Sequence, residues 1–91
     1  MNTVPNMDAM SKDALWEFWK VYREGRARNK CALLIGDRRK NYTVYAANLA
    51  NYACNKAVAM DCRERGDIRA ALVYESICDG IYSILPDDLK W

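Results

Sequence analysis

The chain has 91 residues, of which 52% are hydrophobic and 29% are charged, and its formal net charge is +2. This length supports one small domain, and this balance of apolar and charged residues argues against an intrinsically disordered chain. With only four Gly and two Pro, the composition favours helices over a loop-rich β fold.

The N-terminal segment, residues 1–11, is polar, contains Pro5 and has no clear periodicity. It is predicted to be a frayed or extended arm that precedes a single helical domain over residues 12–91. Ser11 is a good N-cap residue, so the first helix is expected from about Lys12 to Glu24, where the following glycine ends it.

The segment between residues 26 and 40 is the hardest to assign. A short apolar run over Cys31–Ile35 is followed by the turn signal Gly36-Asp37. A run of this length does not distinguish a helix from a strand by periodicity. No partner strand is evident elsewhere, so a possible short fourth helix is expected at Lys30–Ile35.

The second half of the chain predicts a helical hairpin. An alanine-rich helix is expected from about Tyr42 to Arg65, and a third helix from Ile68 to Leu85. Gly66 ends the first of these helices and Asp67 caps the next. Apolar residues wrap around the third helix past a single face, so it is either central or packed on one side by a partner. The predicted fold class is therefore all-α, with three main helices, an antiparallel hairpin in the C-terminal half and the first helix packed across it.

Two packing details follow from this hairpin. Glu75 lies among apolar neighbours, so a salt bridge from Glu75 to Lys56 or Arg63 is predicted. Small side chains also allow the two helices to approach closely. The alanines expected at the close crossings are Ala53, Ala57 and Ala71.

The cysteines argue against a metal site. None of them has CxxC spacing and the chain has no His, whereas zinc sites use close ligand pairs or mixed Cys/His sets. Three of the four lie in predicted helices among apolar residues, which is typical of free buried thiols in a reducing cytoplasm. No signal-peptide pattern is present and no apolar run approaches the roughly 20 residues of a membrane span. We therefore expect a cytoplasmic protein with no metal, no cofactor and no membrane contact.

Charge is unevenly distributed, which bears on possible partners. Residues 1–40 carry nine Lys/Arg and five Asp/Glu, a net of +4, whereas residues 61–91 carry four and seven, a net of −3. Such polarity is typical of an ordinary solvated surface, but it also suits a partner of opposite charge or a homodimer.

The first candidate binding site is the basic segment 23–40. Between Lys20 and Lys40 there are eight Lys/Arg and two acidic residues. Basic residues beside aromatic rings suit phosphate contacts and base stacking, so this segment either meets nucleic acid, meets an acidic protein or keeps a turn soluble. The candidate residues are Arg23, Arg26, Arg28, Lys30, Arg38, Arg39, Lys40 and Tyr42.

The second candidate is the aromatic cluster of the first helix. Aromatic side chains anchor interfaces because they bury large areas at little cost in entropy, although plain core packing explains the same pattern. The candidate interface residues are Trp16, Phe18, Trp19 and Tyr22.

Enzymatic chemistry is not expected. Without His, a catalytic site would depend on Cys, Asp, Glu, Lys or Tyr. Cys62 lies near two arginines, which favour a reactive thiolate, but it has no evident base partner. Glu75 and Asp79 stand one helical turn apart as an acid–base pair would, but such a pair is typical of a solvated helix edge. No Gly-rich phosphate loop is present.

Two resemblances add to this interpretation. The segment Gly66–Glu75, with Gly-Asp at the turn, small alanines and then an aromatic residue, resembles the helix-turn-helix junction of tetratricopeptide repeats. This likeness implies two helices that cross closely over small side chains. A repeat array is not expected, because only one such hairpin is present.

The second resemblance covers roughly Asn51 to Trp91. Its pattern is Asn55-Lys56-Ala57-x-Ala59-Met60, then Arg63-x-x-Gly66-Asp67-Ile68-x-x-Ala71-Leu72-x-Tyr74-Glu75-x-Ile77-Cys78-Asp79, then Ile81-Tyr82-x-x-Leu85-Pro86, ending in Trp91. This pattern is similar to that of small uncharacterised proteins of phages and prophages. The likeness implies a phage accessory protein that binds a host or phage protein in the host cytoplasm and can block a host machine such as an antiviral defence complex. It implies no site residue. The functional hypothesis is thus a non-enzymatic protein-interaction module, with a nucleic-acid-binding accessory protein as the alternative.

Overall fold

The computed structural model describes residues 4–23 and 42–91. These residues form three α-helices, α1 (Lys12–Arg23), α2 (Tyr42–Glu64) and α3 (Ile68–Ile84). Short 3-10 turns lie at Met7–Ala9 and Asp87–Leu89. No β-strand occurs within the two described ranges, so the predicted all-α fold class is confirmed. The possible short fourth helix at Lys30–Ile35 lies outside them.

The helix ends follow from local sequence. The Ser11 hydroxyl accepts a hydrogen bond from the Ala14 amide at 3.2 Å, and the Asp67 carboxylate accepts one from the Ala70 amide at 3.2 Å. Each bond satisfies an amide that has no partner within its own helix. Gly66 has a φ of +81°, which only glycine adopts without strain. The predicted caps at both helix starts are therefore confirmed.

Helix α2 lies between the other two, and both α1 and α3 pack against it. It joins α3 through residues 65–67 as the predicted antiparallel hairpin. Because α2 is covered from two sides, its buried residues occupy more than one face of the helix. Within residues 45–64 they are Ala46, Leu49, Ala50, Tyr52, Ala53, Ala57, Ala59 and Cys62.

Helices α2 and α3 meet over small buried side chains of α3, Ala71 and Cys78. The three alanines expected at close crossings, Ala53, Ala57 and Ala71, are all fully buried. The Cys78 sulfur lies 3.6 Å from the backbone carbonyl oxygen of Tyr52, which shows how close the two helices come. Burial raises the pKa of the Cys78 thiol to about 11, so this thiol stays protonated and unreactive at neutral pH.

The N-terminal segment differs from the predicted arm. Residues Met7–Ala9 form a turn of 3-10 helix that begins at Asn6, and the side chains of Val4 and Met7 are buried in the core. The physical reason is that these two apolar side chains fill space beside the helices, a tertiary effect that local periodicity does not reveal.

Candidate functional site

Most of the predicted basic site lies outside the described residues. Arg23 is the last residue of α1 and is exposed. Its guanidinium carbon lies 4.2 Å from the centre of the Trp19 ring, which is a cation–π contact one helical turn apart. The side chain of Tyr42 is also not described, so a nucleic-acid or acidic-protein contact here stays a prediction. The remaining residues outside the described ranges are Arg26, Arg28, Lys30, Arg38, Arg39 and Lys40.

The aromatic cluster of α1 is largely engaged within the chain. Tyr22 is buried, and its ring stacks on Phe18 with centroids 4.1 Å apart. Trp16 and Trp19 meet edge to face at 5.4 Å. Trp16, Phe18 and Trp19 are half-buried and pack against the core. Packing within the chain therefore accounts for most of this cluster, and its role as an interface stays a prediction.

A different surface stands out, namely the solvent side of α3. All the large apolar side chains that are exposed within residues 4–23 and 45–91 lie on this helix, with exposed fractions between 42% and 64%. Isolated exposed apolar residues are normal, but several on one helix mark a candidate interaction site. At about 100° per residue, Ile68 and Leu72 lie along one edge of the exposed side of α3, and the other three lie along the opposite edge. We call this set the α3 outer face; it consists of Ile68, Leu72, Val73, Ile77 and Ile84.

Sequence reasoning did not select these five residues as a site. The signal was nevertheless present, because apolar residues wrapped around the third helix further than a single buried face needs. The side of α3 that packs against α2 carries the small buried side chains of Ala71 and Cys78. Five of the six Ile, Leu and Val side chains of α3 are left outside, which reverses the usual distribution.

Two charges lie within the exposed surface of α3. Helix α3 carries three charged residues, of which Glu75 turns toward α2 and accepts two hydrogen bonds from the Arg63 guanidinium, one of them at 2.7 Å. This confirms the predicted salt bridge, and it lowers the pKa of Glu75. The other two, Arg69 and Asp79, are exposed, and neither forms an ion pair with another described residue.

At one end of the molecule, Asp8 ties the N-terminal segment to both α2 and the C-terminus. Its carboxylate accepts hydrogen bonds from the Tyr52 hydroxyl at 2.7 Å and the Trp91 indole at 3.1 Å, and Lys56 Nζ lies 3.4 Å away. Trp91 also packs edge to face on Tyr52 and on Tyr82. The Trp91 ring thus folds back against α2 and the last turn of α3. We call this group the Asp8 cluster.

The Asp8 cluster is built for stability rather than for proton transfer. Partial burial opposes ionisation of Asp8, but the bonds from Tyr52 and Trp91 and the charge of Lys56 outweigh it, so the pKa of Asp8 lies below its usual value. Burial, together with the bond to Asp8, raises the pKa of Tyr52 well above its usual value. The phenol therefore stays a hydrogen-bond donor and is no base or nucleophile at neutral pH.

A pH dependence follows from the Asp8 cluster. Because the pKa of Asp8 is lower in the folded state, its stabilisation is present above about pH 4 and is lost as the pH falls through the folded-state value. We expect Asp8→Asn to reduce the free energy of unfolding at neutral pH by about 0.5–1.5 kcal/mol. The variant should also lose less stability than wild type on acidification.

Urea unfolding at a series of pH values measures both effects. The matched control is Glu17→Gln, which neutralises an exposed carboxylate on α1. An Asp8→Asn variant whose stability follows the wild-type pH curve would show that the cluster does not stabilise the fold.

Within the described ranges, no group of three or more Cys, Asp or Glu could hold a metal ion, and no helix is long and apolar enough to cross a membrane. Comparison with protein-family models, with curated proteins and with solved structures finds no significant match. The functional argument therefore depends on the molecule's own surfaces.

Proposed function

We propose that this protein is a non-enzymatic interaction module that binds another protein through the α3 outer face. The observation that carries the proposal is the concentration of exposed large aliphatic side chains on this one helix. An apolar surface of this kind gains free energy when a partner removes it from water, at roughly 25 cal/mol per Å².

The chemistry of this surface favours a protein over a nucleic acid. Its five defining side chains are aliphatic, and the two charges beside them, Arg69 and Asp79, are opposite in sign. Nucleic-acid binding depends on neutralising phosphates with several Lys or Arg residues. An amphipathic helix or an apolar groove of a protein fits the α3 outer face better.

The resemblance of residues 51–91 to small phage and prophage proteins supplies the setting of the proposal. In that setting the module acts in the host cytoplasm, and its target is a host protein or complex, of which an antiviral defence machine is one kind. What supports this setting is the sequence pattern, while the α3 outer face supports the binding itself.

The test is capture of proteins from a nuclease-treated bacterial lysate by tagged wild-type chain and by the double variant Val73→Gln, Ile77→Gln. Both side chains are exposed, so the variant should keep its fold, with a change in stability within about 0.5 kcal/mol. We expect at least a tenfold loss of the captured protein, about 1.4 kcal/mol of binding free energy. The matched control is Ala47→Gln, which changes an exposed residue on α2. Equal capture by all three proteins would contradict binding through α3.

A further inference from the structure

The N-terminal segment, residues 4–10, is attached to the helices by its side chains. In the part of the chain that the structure describes, each backbone–backbone hydrogen bond of this segment joins two of its own residues. The side chains of Val4 and Met7 are buried, and the carboxylate of Asp8 is bonded by Tyr52 and Trp91. Two buried apolar side chains and one carboxylate therefore carry most of the attachment, which is how a short peptide binds a folded protein through a few side-chain anchors.

The groups that bond Asp8 are held in place by contacts in which Asp8 takes no part. The Tyr82 hydroxyl donates a hydrogen bond to the Trp91 backbone carbonyl at 2.6 Å, and the two rings meet edge to face at 4.8 Å. The Trp91 ring also lies edge to face against Tyr52 at 4.7 Å. These contacts keep the Trp91 indole N–H beside the Tyr52 hydroxyl, so the pair of donors persists when the carboxylate leaves.

The donors are arranged to recognise a carboxylate. The Tyr52 hydroxyl bonds one carboxylate oxygen of Asp8 and the Trp91 indole bonds the other, at 2.7 and 3.1 Å. Lys56 Nζ lies 3.4 Å from the first oxygen and adds a positive charge. Hydrogen bonds to an ionised group are stronger than those between neutral groups. An amide would offer one acceptor oxygen and turn its NH₂ group toward a donor, so this arrangement favours an acid over its amide.

The segment is weakly enough attached to leave the helices. The Asp8 side chain is 50% exposed even when it is bonded, so its carboxylate returns to water at little cost. Ordering residues 4–10 costs conformational entropy, which offsets much of the gain from burying two apolar side chains. The segment therefore opens at a lower free energy than the helices do, as parts of a fold with few buried contacts generally do.

We infer that Val4–Asp8 occupies a peptide-binding site of this fold as an internal, autoinhibitory ligand, and that the site takes an acidic peptide of a partner protein. The segment itself defines the chemistry of that peptide, which has an acidic residue directly after one apolar residue and four positions after another. The tether gives the internal segment an effective concentration in the millimolar range, so a partner peptide must bind more tightly to replace it. This inference goes beyond the proposed function, because none of the groups that bond Asp8 belongs to the α3 outer face.

The test is an NMR titration of the full-length Asp8→Asn variant with a capped synthetic peptide of residues 4–10. The variant keeps the side-chain size but loses the carboxylate, which frees the donors for the peptide. We expect the indole N–H resonance of Trp91 to move saturably toward its wild-type position, while Trp16 and Trp19 serve as internal references. The matched control is the same peptide with Asn in place of its acid, which should bind at least tenfold more weakly.

A second measurement shows whether the peptide replaces the internal segment. The Met7 side chain of the free protein has no exposed surface, so its methyl group is protected from a soluble paramagnetic reagent. At saturation with peptide this methyl group should become accessible, because the methionine of the peptide takes its place. Wild type should show the same change at roughly tenfold higher peptide concentration, since its own carboxylate competes. Adding Tyr52→Phe to Asp8→Asn removes one donor and should weaken peptide binding by about tenfold.

Three results would overturn the peptide site: no change at Trp91 in either wild type or Asp8→Asn at about 10 mM peptide, equal binding of the acidic peptide and its amide control, or binding that leaves the Met7 methyl group protected. Each of these results leaves capture of a partner through the α3 outer face untouched, because that capture is measured with variants at Val73 and Ile77.

Discussion

Replacing Leu49 by Ala is expected to lower the free energy of unfolding by about 2–5 kcal/mol, because it removes a fully buried side chain and leaves a cavity. Leu49 has no exposed surface and lies on α2, the helix against which both α1 and α3 pack. For a domain of this size, each 1 kcal/mol lost lowers the midpoint of thermal unfolding by about 4–8 °C.

The control for this change is the same substitution at an exposed position. Leu72 on α3 is 54% exposed, so Leu72→Ala should alter the stability of dilute protein by no more than about 0.5 kcal/mol. If Leu49→Ala and Leu72→Ala lowered the free energy of unfolding by the same amount, the assignment of α2 as the central helix would be wrong.

The second large effect is overpacking at the buried alanines. Ala57→Leu and Ala71→Leu are each expected to destabilise the protein by about 1–3 kcal/mol, because both positions are fully buried and a larger side chain must displace its neighbours. Ala47→Leu adds the same atoms at an exposed position of α2 and serves as the matched control. Thermal unfolding of the three variants checks the prediction, and unchanged midpoints for the two buried positions would exclude close packing around these alanines.

The helices and their ends were predictable from sequence because the signals are local. Ser11 and Asp67 cap the helices they precede, and Gly66 supplies the positive φ that ends α2. The predicted limits of α2 and α3 differ from the observed ones by a single residue at the C-terminal ends, where helices fray.

The N-terminal segment was not predictable in the same way. Its order depends on Asp8, whose partners Tyr52 and Trp91 are 44 and 83 residues away in sequence. No periodicity or capping pattern encodes such contacts. The Arg63–Glu75 salt bridge was predictable, in contrast, because the hairpin itself brings those two positions together.

The sequence also did not predict which side of α3 is buried against α2. Leu72 and Ile77 belong to apolar stripes that suit burial as well as exposure, and only the position of α2 decides between them. Ala71 and Cys78 form the buried side because small residues permit a close crossing. The sequence therefore indicated that α3 has more apolar surface than one contact uses, without indicating which side stays open.

The central claim is that the α3 outer face is a protein-binding surface, and methyl NMR with a soluble paramagnetic reagent tests it most directly. Spectra are compared for free protein and for protein bound to a captured partner. On binding, we expect the methyl groups of Leu72, Val73 and Ile77 to become protected from the reagent, while that of buried Leu15 is unchanged. Protection that appears elsewhere in the bound state while these three methyl groups stay fully accessible would contradict the claim.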